Sequence, residues 1–412
     1  MRPVTTEETG SFLRTVDAAF SQHLTDEELE DYAKVFAPDR DRSLAWFDGG
    51  RIVGTAGAAS IELTLPAGPG QPFPQIPVAA VGYVGVLPSH RRRGLLTGMM
   101  AHQLDDVAAR GEAAAILTAS EGAIYRRFGY GPATFCQELS LDVTRARLAA
   151  EPADAGRMRL IDAEEATKEL PALFDRIRRQ TPGDINRPAA VWEQLFADRE
   201  VHRHGFGAAW YAVHETDGRA DGFLRYRVKP NWEHGVAKAT IRIADFGALT
   251  PEVALAQWAY LLAVDLVSVI EWDNVPLDVA LPFALVDLRQ ARMSESHGDF
   301  VWVRLLDIPA ALSARGYGAD GRVVFEVEDR FRPAVAGRYE LVVSGGEGTC
   351  RRLATGDADV ALDVSDLGSA YLGGVRFSTL ARAGRVRGPV EALARADAIF
   401  VSTPLPWCAT GF

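Results

Sequence analysis

Residues Val81–Leu96, VGYVGVLPSHRRRGLL, lead from an apolar strand into a helix through a turn that carries a proline, three arginines and a glycine. Val81, Tyr83, Val84 and Val86 are strand formers, and Pro88 ends the run because it offers no N–H to a ladder. From Leu95 to Arg110 the period changes: Leu96, Met100, Leu104 and Val107 share one helical face, with His102 and Asp105 on the other. The first turn of such a helix has unpaired N–H groups and the positive end of the dipole, and Gly94 lets a ligand approach the backbone. The stretch therefore predicts an anion cradle suited to a pyrophosphate, with a solvated basic turn as the alternative.

The next segment bears on that choice. Ala113–Ala119 predicts a second apolar strand, followed by the turn Ser120-Glu121-Gly122 and then AIYRRFGYGP, a short helix closed by Gly129. Together these segments resemble the GNAT superfamily of acetyl-CoA-dependent N-acetyltransferases, whose signature is a strand, an Arg-x-x-Gly-x-Gly/Ala loop and a helix. Arg91, Gly94 and Leu96 fall on the signature positions, the last departing from the usual Gly or Ala. RRRGLL with SEGAIYRRFGYGP is similar to one branch, the enhanced intracellular survival (Eis) proteins, and the similarity extends along the whole chain.

That resemblance implies an α+β chain of two tandem GNAT-like domains (mixed β-sheet with flanking helices) followed by a sterol-carrier-protein-like α/β domain. It implies backbone pairing of Val84, Gly85 and Val86 with the pantetheine arm of acetyl-CoA. Arg92, Arg93, Gly94, Leu95, Leu96 and Thr97 would hold its pyrophosphate, and Ser120 and Glu121 would flank it. A homohexamer is implied as well.

The 412 residues suffice for two or three domains. The net charge of −11 argues against nucleic acid or an anionic membrane as main partner and suits a cationic substrate. MRPVTTEETG has no apolar signal region and no apolar run reaches the roughly 18 residues of a span, so a cytoplasmic protein is expected. Cys136, Cys350 and Cys408 are scattered, predicting neither a disulfide framework nor a metal site. His202 and His204 lack companion ligands and read as an exposed loop, while SGGEG at Ser344–Gly348 reads as a hairpin turn.

Three blocks are expected. Residues 1–150 carry the cofactor motifs, and ARLAAEPADAG at their end reads as a linker. Residues 151–290 hold strand-like runs at Trp210–Glu215, Gly222–Val228, Ala239–Phe246 and Val267–Trp272, with Thr250-Pro251 opening a helix. The turn before that helix, FGALTPE, has no arginine and no close-approach glycine pattern, and the resemblance implies a second GNAT-like fold without a cofactor site. Residues 291–412 are similar to sterol-carrier domains, and the chain end is expected to complete the site.

Acetyl transfer to an amine needs a neutral amine, a stabilised oxyanion and a proton for the departing thiolate. A backbone N–H of Val84–Val86 suits the oxyanion. Tyr125 resembles the family's general acid, and a phenol of pKa about 10 matches an aliphatic thiol; the alternative is a core tyrosine. In the Eis branch the base is the terminal carboxylate, here that of Phe412. PLPWCATGF has Trp407, Phe412 and no charged side chain, which is poor composition for a solvated tail. A carboxylate near 3.5 and an alkylammonium near 10.4 differ by about 7 units, roughly 9 kcal/mol, so the pocket must lower the amine, raise the acid or relay through water.

Primary amines of aminoglycosides, polyamines or lysine side chains are the expected substrates. Asp26, in the acidic stretch Asp26–Asp31, is a candidate for holding a polycation and Phe36 a candidate wall. Thr25 to Glu28 is equally a capping box, which accounts for the same residues without a ligand. The rival is a non-catalytic acyl-CoA or lipid carrier.

Overall fold

The computed structural model describes residues 1–153, 156–294 and 298–412; Asp154 and Ala155 of the expected linker lie outside the described residues. The chain forms two compact units: Met1–Thr134, Pro182–Ala190 and Asp299–Phe412 make the first, Phe135–Thr181 and Val191–Gly298 the second.

In the first unit a seven-stranded sheet runs in the order Arg2–Pro3, β1 (Leu44–Asp48), β2 (Arg51–Thr64), β3 (Gln75–Val86), β4 (Ala114–Thr118), β5 (Val301–Leu305) and Gly131–Pro132. Neighbours are antiparallel except β3 and β4, which are parallel and are joined through helix α3 (Leu95–Ala109). Helix α1 (Thr9–Ala19) packs on β2 and β3. Helix α2 (Asp26–Phe36) starts where Thr25 and Glu28 cap each other reciprocally, as the sequence predicts. The buried face of α3 holds Met100, Leu104 and Val107, but also Met99 and Gln103, with Leu96 only half-buried. Gln103 donates from Nε2 to Gly57 O at 2.6 Å.

The carrier-like fold belongs to this unit too. Its sheet runs β8 (Glu347–Leu353), β7 (Gly337–Ser344), β6 (Gly321–Glu328), β9 (Val360–Asp363) and Val386–Arg387. Ser344 pairs with Glu347 across the expected hairpin turn. Helix α4 (Val364–Ala370) follows β9, its N-terminus capped by Asp363. One apolar core runs through both folds, from Leu63, Ile116 and Val303 to Phe325, Leu367 and Phe400. All five residues of β5 are buried. A strand with no exposed face gives no local sign of which sheet it enters, and here it completes the first one.

The second unit has an eight-stranded sheet whose main path is Ala291–Met293, Phe135–Asp142, Val267–Pro276, Ala239–Ala248, Arg219–Lys229, Trp210–Thr216 and Arg157–Ile161. The four strand-like runs of this block are strands, and Thr250 caps the helix Pro251–Leu262 with Pro251 at its first turn. The sheets therefore cross the contiguous divisions at 150 and 290: Phe135–Asp142 pairs with Val267–Pro276, and Ala291–Met293 pairs with Phe135–Asp142. The first part of the expected linker is packed rather than loose, with Ala146 at 2% exposure and Leu148 bridged to Leu285.

Candidate active site

The site begins where two parallel strands part. β3 and β4 pair only at Ala79↔Ala115 and Ala80↔Ile116. Beyond that point β3 pairs on its far side with β2, through Thr55↔Gly85 and Gly54↔Val86, and β4 pairs with β5, through Thr118↔Val301. The β2–β3 ladder shifts register between Thr55 and Gly57, opposite the strained Tyr83 (φ 55°), and such a bulge bends a strand away from its neighbour. Among the described residues the edge of Val84–Val86 that faces β4 has no strand partner, leaving N–H and C=O groups for an extended ligand.

A cleft of about 450 Å³ opens along this edge and runs to the start of α3. Arg92 (φ 62°) and Gly94 (φ 81°) both adopt the left-handed conformation, and Gly94 is the N-cap with no side chain to occupy the first-turn N–H groups. Leu95, Leu96 and Thr97, whose N–H groups have no capping side chain, line the cleft at the positive end of a fifteen-residue helix. The expected cofactor residues Val84, Gly85, Val86, Arg92, Gly94, Leu95, Leu96, Thr97, Ser120 and Glu121 all line the cleft. Arg93 is exposed and does not; Arg91 lines it instead, with a guanidinium N–H directed to Ala19 O at 3.4 Å. His90 is fixed at the turn by Asp48 at 3.0 Å. Ala19 and Phe20 at the end of α1 also contribute, and no local pattern in TVDAAF announces that role.

Tyr125 closes the helical turn Gly122–Tyr125 and lines the same cleft at 6% exposure, its ring packed edge-on to Tyr130 at 6.1 Å. Burial, followed by the Glu121 carboxylate, raises its hydroxyl above the ordinary tyrosine range and keeps it a proton donor. The turn is fastened by its next residue: Arg126 pairs at 3.1 Å with Asp366 of α4, a carboxylate that also accepts from Arg385 at 2.9 Å.

The last residues of the chain are ordered. Gly183–Asn186 zips against the end of β2, through Gly183 N–H to Thr64 O at 2.8 Å, Thr64 N–H to Asp184 O at 2.9 Å, and Asn186 N–H to Glu62 O at 3.2 Å. On that ledge lies the tail. Trp407 N–H donates to Pro182 O at 2.9 Å, Ala409 N–H to Asp184 Oδ1 at 3.1 Å, and Arg187 Nε to Thr410 Oγ1 at 2.8 Å. Gly183 (φ 91°) permits the approach, since a Cβ there would stand 3.2 Å from the Trp407 backbone. Cys408 is fully buried, whereas Trp407 is half-buried. Phe412 packs against the shared core, and Thr118 Oγ1 donates to its main-chain oxygen at 2.8 Å. Neither Thr118 nor Phe412 is among the residues that line the cleft, and in the sequence Thr118 reads only as the last position of an apolar strand.

The substrate candidates lie elsewhere. The Asp26 side chain is 92% exposed and pairs with Arg14 at 2.7 Å. Phe36 is 2% exposed, packed on Phe12 at 5.0 Å and Tyr83 at 5.4 Å, and so is a core residue of α2 rather than an open wall. Neither lines the cleft. His202 lies in the short turn Glu200–Arg203 and His204 directly follows it, and no group of three or more His, Cys, Asp or Glu among the described residues is arranged to hold a metal.

In the second unit the parallel pair Ala239–Ala248 and Val267–Pro276 shifts register between Ala239 and Thr240 and then pairs from Thr240↔Val269 to Ile243↔Trp272. Phe246 stacks on Trp258 at 5.1 Å and on Trp272 at 5.2 Å.

Comparison with known proteins agrees with this geometry. Residues 1–133 and 183–305 each match a family described as "Acetyltransferase (GNAT) domain", and residues 308–409 match "Sterol carrier protein domain". The chain is 42% identical over 377 residues to an uncharacterized N-acetyltransferase of Streptomyces avermitilis, covering 90% of both. It is 35% identical to N-acetyltransferase Eis of Mycobacterium tuberculosis, across 86% of this chain and 84% of that one. The crystal structure of Eis1 from Mycobacterium abscessus superposes with a TM-score of 0.85 at 33% identity, covering 100% of this chain and 99% of the other.

Proposed function

Because the chain belongs to the Eis family of GNAT N-acetyltransferases, we propose that the cleft between β3 and β4 binds acetyl-CoA and that this protein acetylates primary amines of polycationic compounds. The observation that carries the reading is the parting of β3 and β4 directly above the Arg92–Gly94 turn: an edge for an amide-bearing arm and a cluster of N–H donors for a pyrophosphate lie in one cleft. Membership in an N-acetyltransferase family sets aside the non-catalytic carrier.

In the proposed reaction the neutral amine nitrogen bonds to the thioester carbonyl carbon, and a backbone N–H of Val84–Val86 receives the developing oxyanion. The nitrogen gives up a proton to the Phe412 carboxylate. The carbon–sulfur bond then breaks, and Tyr125 supplies the proton that the thiolate takes; the proton on Phe412 restores the tyrosine through solvent. An amide and a free thiol result, with no proton gained or lost. The raised pKa of Tyr125 supports an acid that stays loaded at neutral pH. The net charge of −11 favours a cationic amine, such as an aminoglycoside, a polyamine or a lysine side chain. The aromatic stack in the second unit supports a single cofactor site per chain, and we carry the homohexamer forward as part of the proposal, to be checked by light scattering.

Thiol release from acetyl-CoA against a panel of amines tests the reading. The wild type should turn over polyamines, and Tyr125→Phe should lower kcat by about 10²-fold or more with little change in the KM for acetyl-CoA. Absence of turnover with every amine would refute the substrate class.

A further inference from the structure

Beyond the bond from Trp407 N–H to Pro182 O, two side chains hold the tail nearer its end. Asp184 is 2% exposed and accepts N–H groups from Ile185, at 2.9 Å, and Ala409, at 3.1 Å. Three residues on, Arg187 donates from Nε to Thr410 Oγ1 at 2.8 Å and from Nη2 to Ala409 O at 3.4 Å. These partners lie two and three positions before Phe412. Gly183–Asn186 is itself hydrogen-bonded to the end of β2, so the holding groups stand on the sheet rather than on a free loop. Cys408 lies between them, fully buried, with its thiol 3.3 Å from Thr410 O. A buried carboxylate aimed at one backbone N–H of the tail, with a guanidinium aimed at the next side chain, is more than packing needs, because apolar residues would fill the same space without the desolvation penalty.

We propose that Asp184 and Arg187 are positioning residues for acetyl transfer, clamping Ala409 and Thr410 so that the end of the chain stays at Thr118. The role rests on the reading of the Phe412 carboxylate as base. Displacing a reacting group by about 1 Å costs on the order of 10²-fold in rate, and past Cys408 a chain end without these two partners would keep only the Thr118 bond and its aromatic packing and would sample more positions. The clamp removes that freedom before substrate arrives.

The test compares full-length wild type with Arg187→Ala, Asp184→Ala, the conservative Arg187→Lys and Asp184→Asn, and a chain lengthened by one alanine after Phe412. Each is assayed for kcat, for the KM of acetyl-CoA, for thermal midpoint, and for the rate at which carboxypeptidase A releases the C-terminal residue. The clamp predicts that both alanine variants lose about tenfold or more in kcat, with acetyl-CoA KM within about twofold, and release Phe412 at least about tenfold faster. Asp184→Asn keeps an acceptor oxygen and Arg187→Lys keeps the charge, so each should recover part of both losses; if the alanine variants do not fold, these two carry the comparison against wild type. Wild-type release with wild-type kcat, or a loss of kcat without faster release, would overturn the clamp. An unchanged kcat in the lengthened chain would overturn the base reading and the clamp's catalytic role with it, whereas a lengthened chain that is dead beside fully active clamp variants would overturn the clamp alone.

Discussion

Thr118 and Phe412, 294 positions apart, meet through a 2.8 Å hydrogen bond at the end of β4. The bond brings the last residue of the chain to the strand that turns, two residues later, into the cleft at Ser120. It is formed by folding the whole first unit: β2 holds Gly183–Asn186, that ledge holds the tail, and the tail reaches Thr118.

Thr118→Val removes the hydroxyl and keeps the shape. Hydrogen bonds to charged groups contribute about 1.5–3 kcal/mol, so kcat should fall by roughly tenfold or more while the acetyl-CoA KM stays near wild type. Steady-state kinetics with a saturating amine checks this, and a change confined to KM would contradict it.

Gly94→Ala places a Cβ at φ 81°, where no neighbour obstructs it but the backbone is strained. The penalty of about 1–2 kcal/mol should either shift the turn or loosen the first turn of α3. Either result spoils the N–H cluster, so the acetyl-CoA Kd should rise by roughly tenfold in calorimetry while the amine KM stays unchanged.

Burial pushes the Asp184 carboxyl up to about 6, against the opposing influence of Arg187 and the N–H groups of Ile185 and Ala409, with the Cys408 thiol beside it. A carboxyl raised on folding contributes stability that is fully present below its unfolded pKa, near 3.8, and lost as pH rises through 6. The effect is at most about 3 kcal/mol. The thermal midpoint of the wild type should therefore rise relative to that of Asp184→Asn as pH is lowered from 7.5 to about 5. A constant difference across that range would contradict the assignment.

The cradle was legible because its signals are local: strand formers, Pro88, the arginines and Gly94 lie within one turn of chain. Tyr125 was legible only through its motif, since a buried tyrosine beside Tyr130 resembles any core aromatic. Four strands of the second unit could be read from apolar runs, but Phe135–Asp142 and the sheet it joins could not, because an alternating strand fits equally well beside any partner. Asp184 and Arg187 sit in PGDINR, which reads as a loop; their function comes from contacts more than two hundred residues away, which leave no periodicity. Phe36 failed as a wall for the opposite reason, being apolar at a helix end and therefore drawn into the core beside Phe12 and Tyr83.

In the proposed reaction the carboxylate of Phe412 takes the amine proton, and replacing that carboxylate alone tests it. Cys408 allows a synthetic peptide spanning Cys408–Phe412 to be ligated to the chain ending at Trp407, with either a carboxylate or a carboxamide at its end. The measurement is the single-turnover rate of acetyl transfer at saturating acetyl-CoA for the two ligated proteins. A terminal base gives a carboxamide rate lower by about 10²-fold or more, with acetyl-CoA affinity unchanged; equal rates for the two proteins would refute that role.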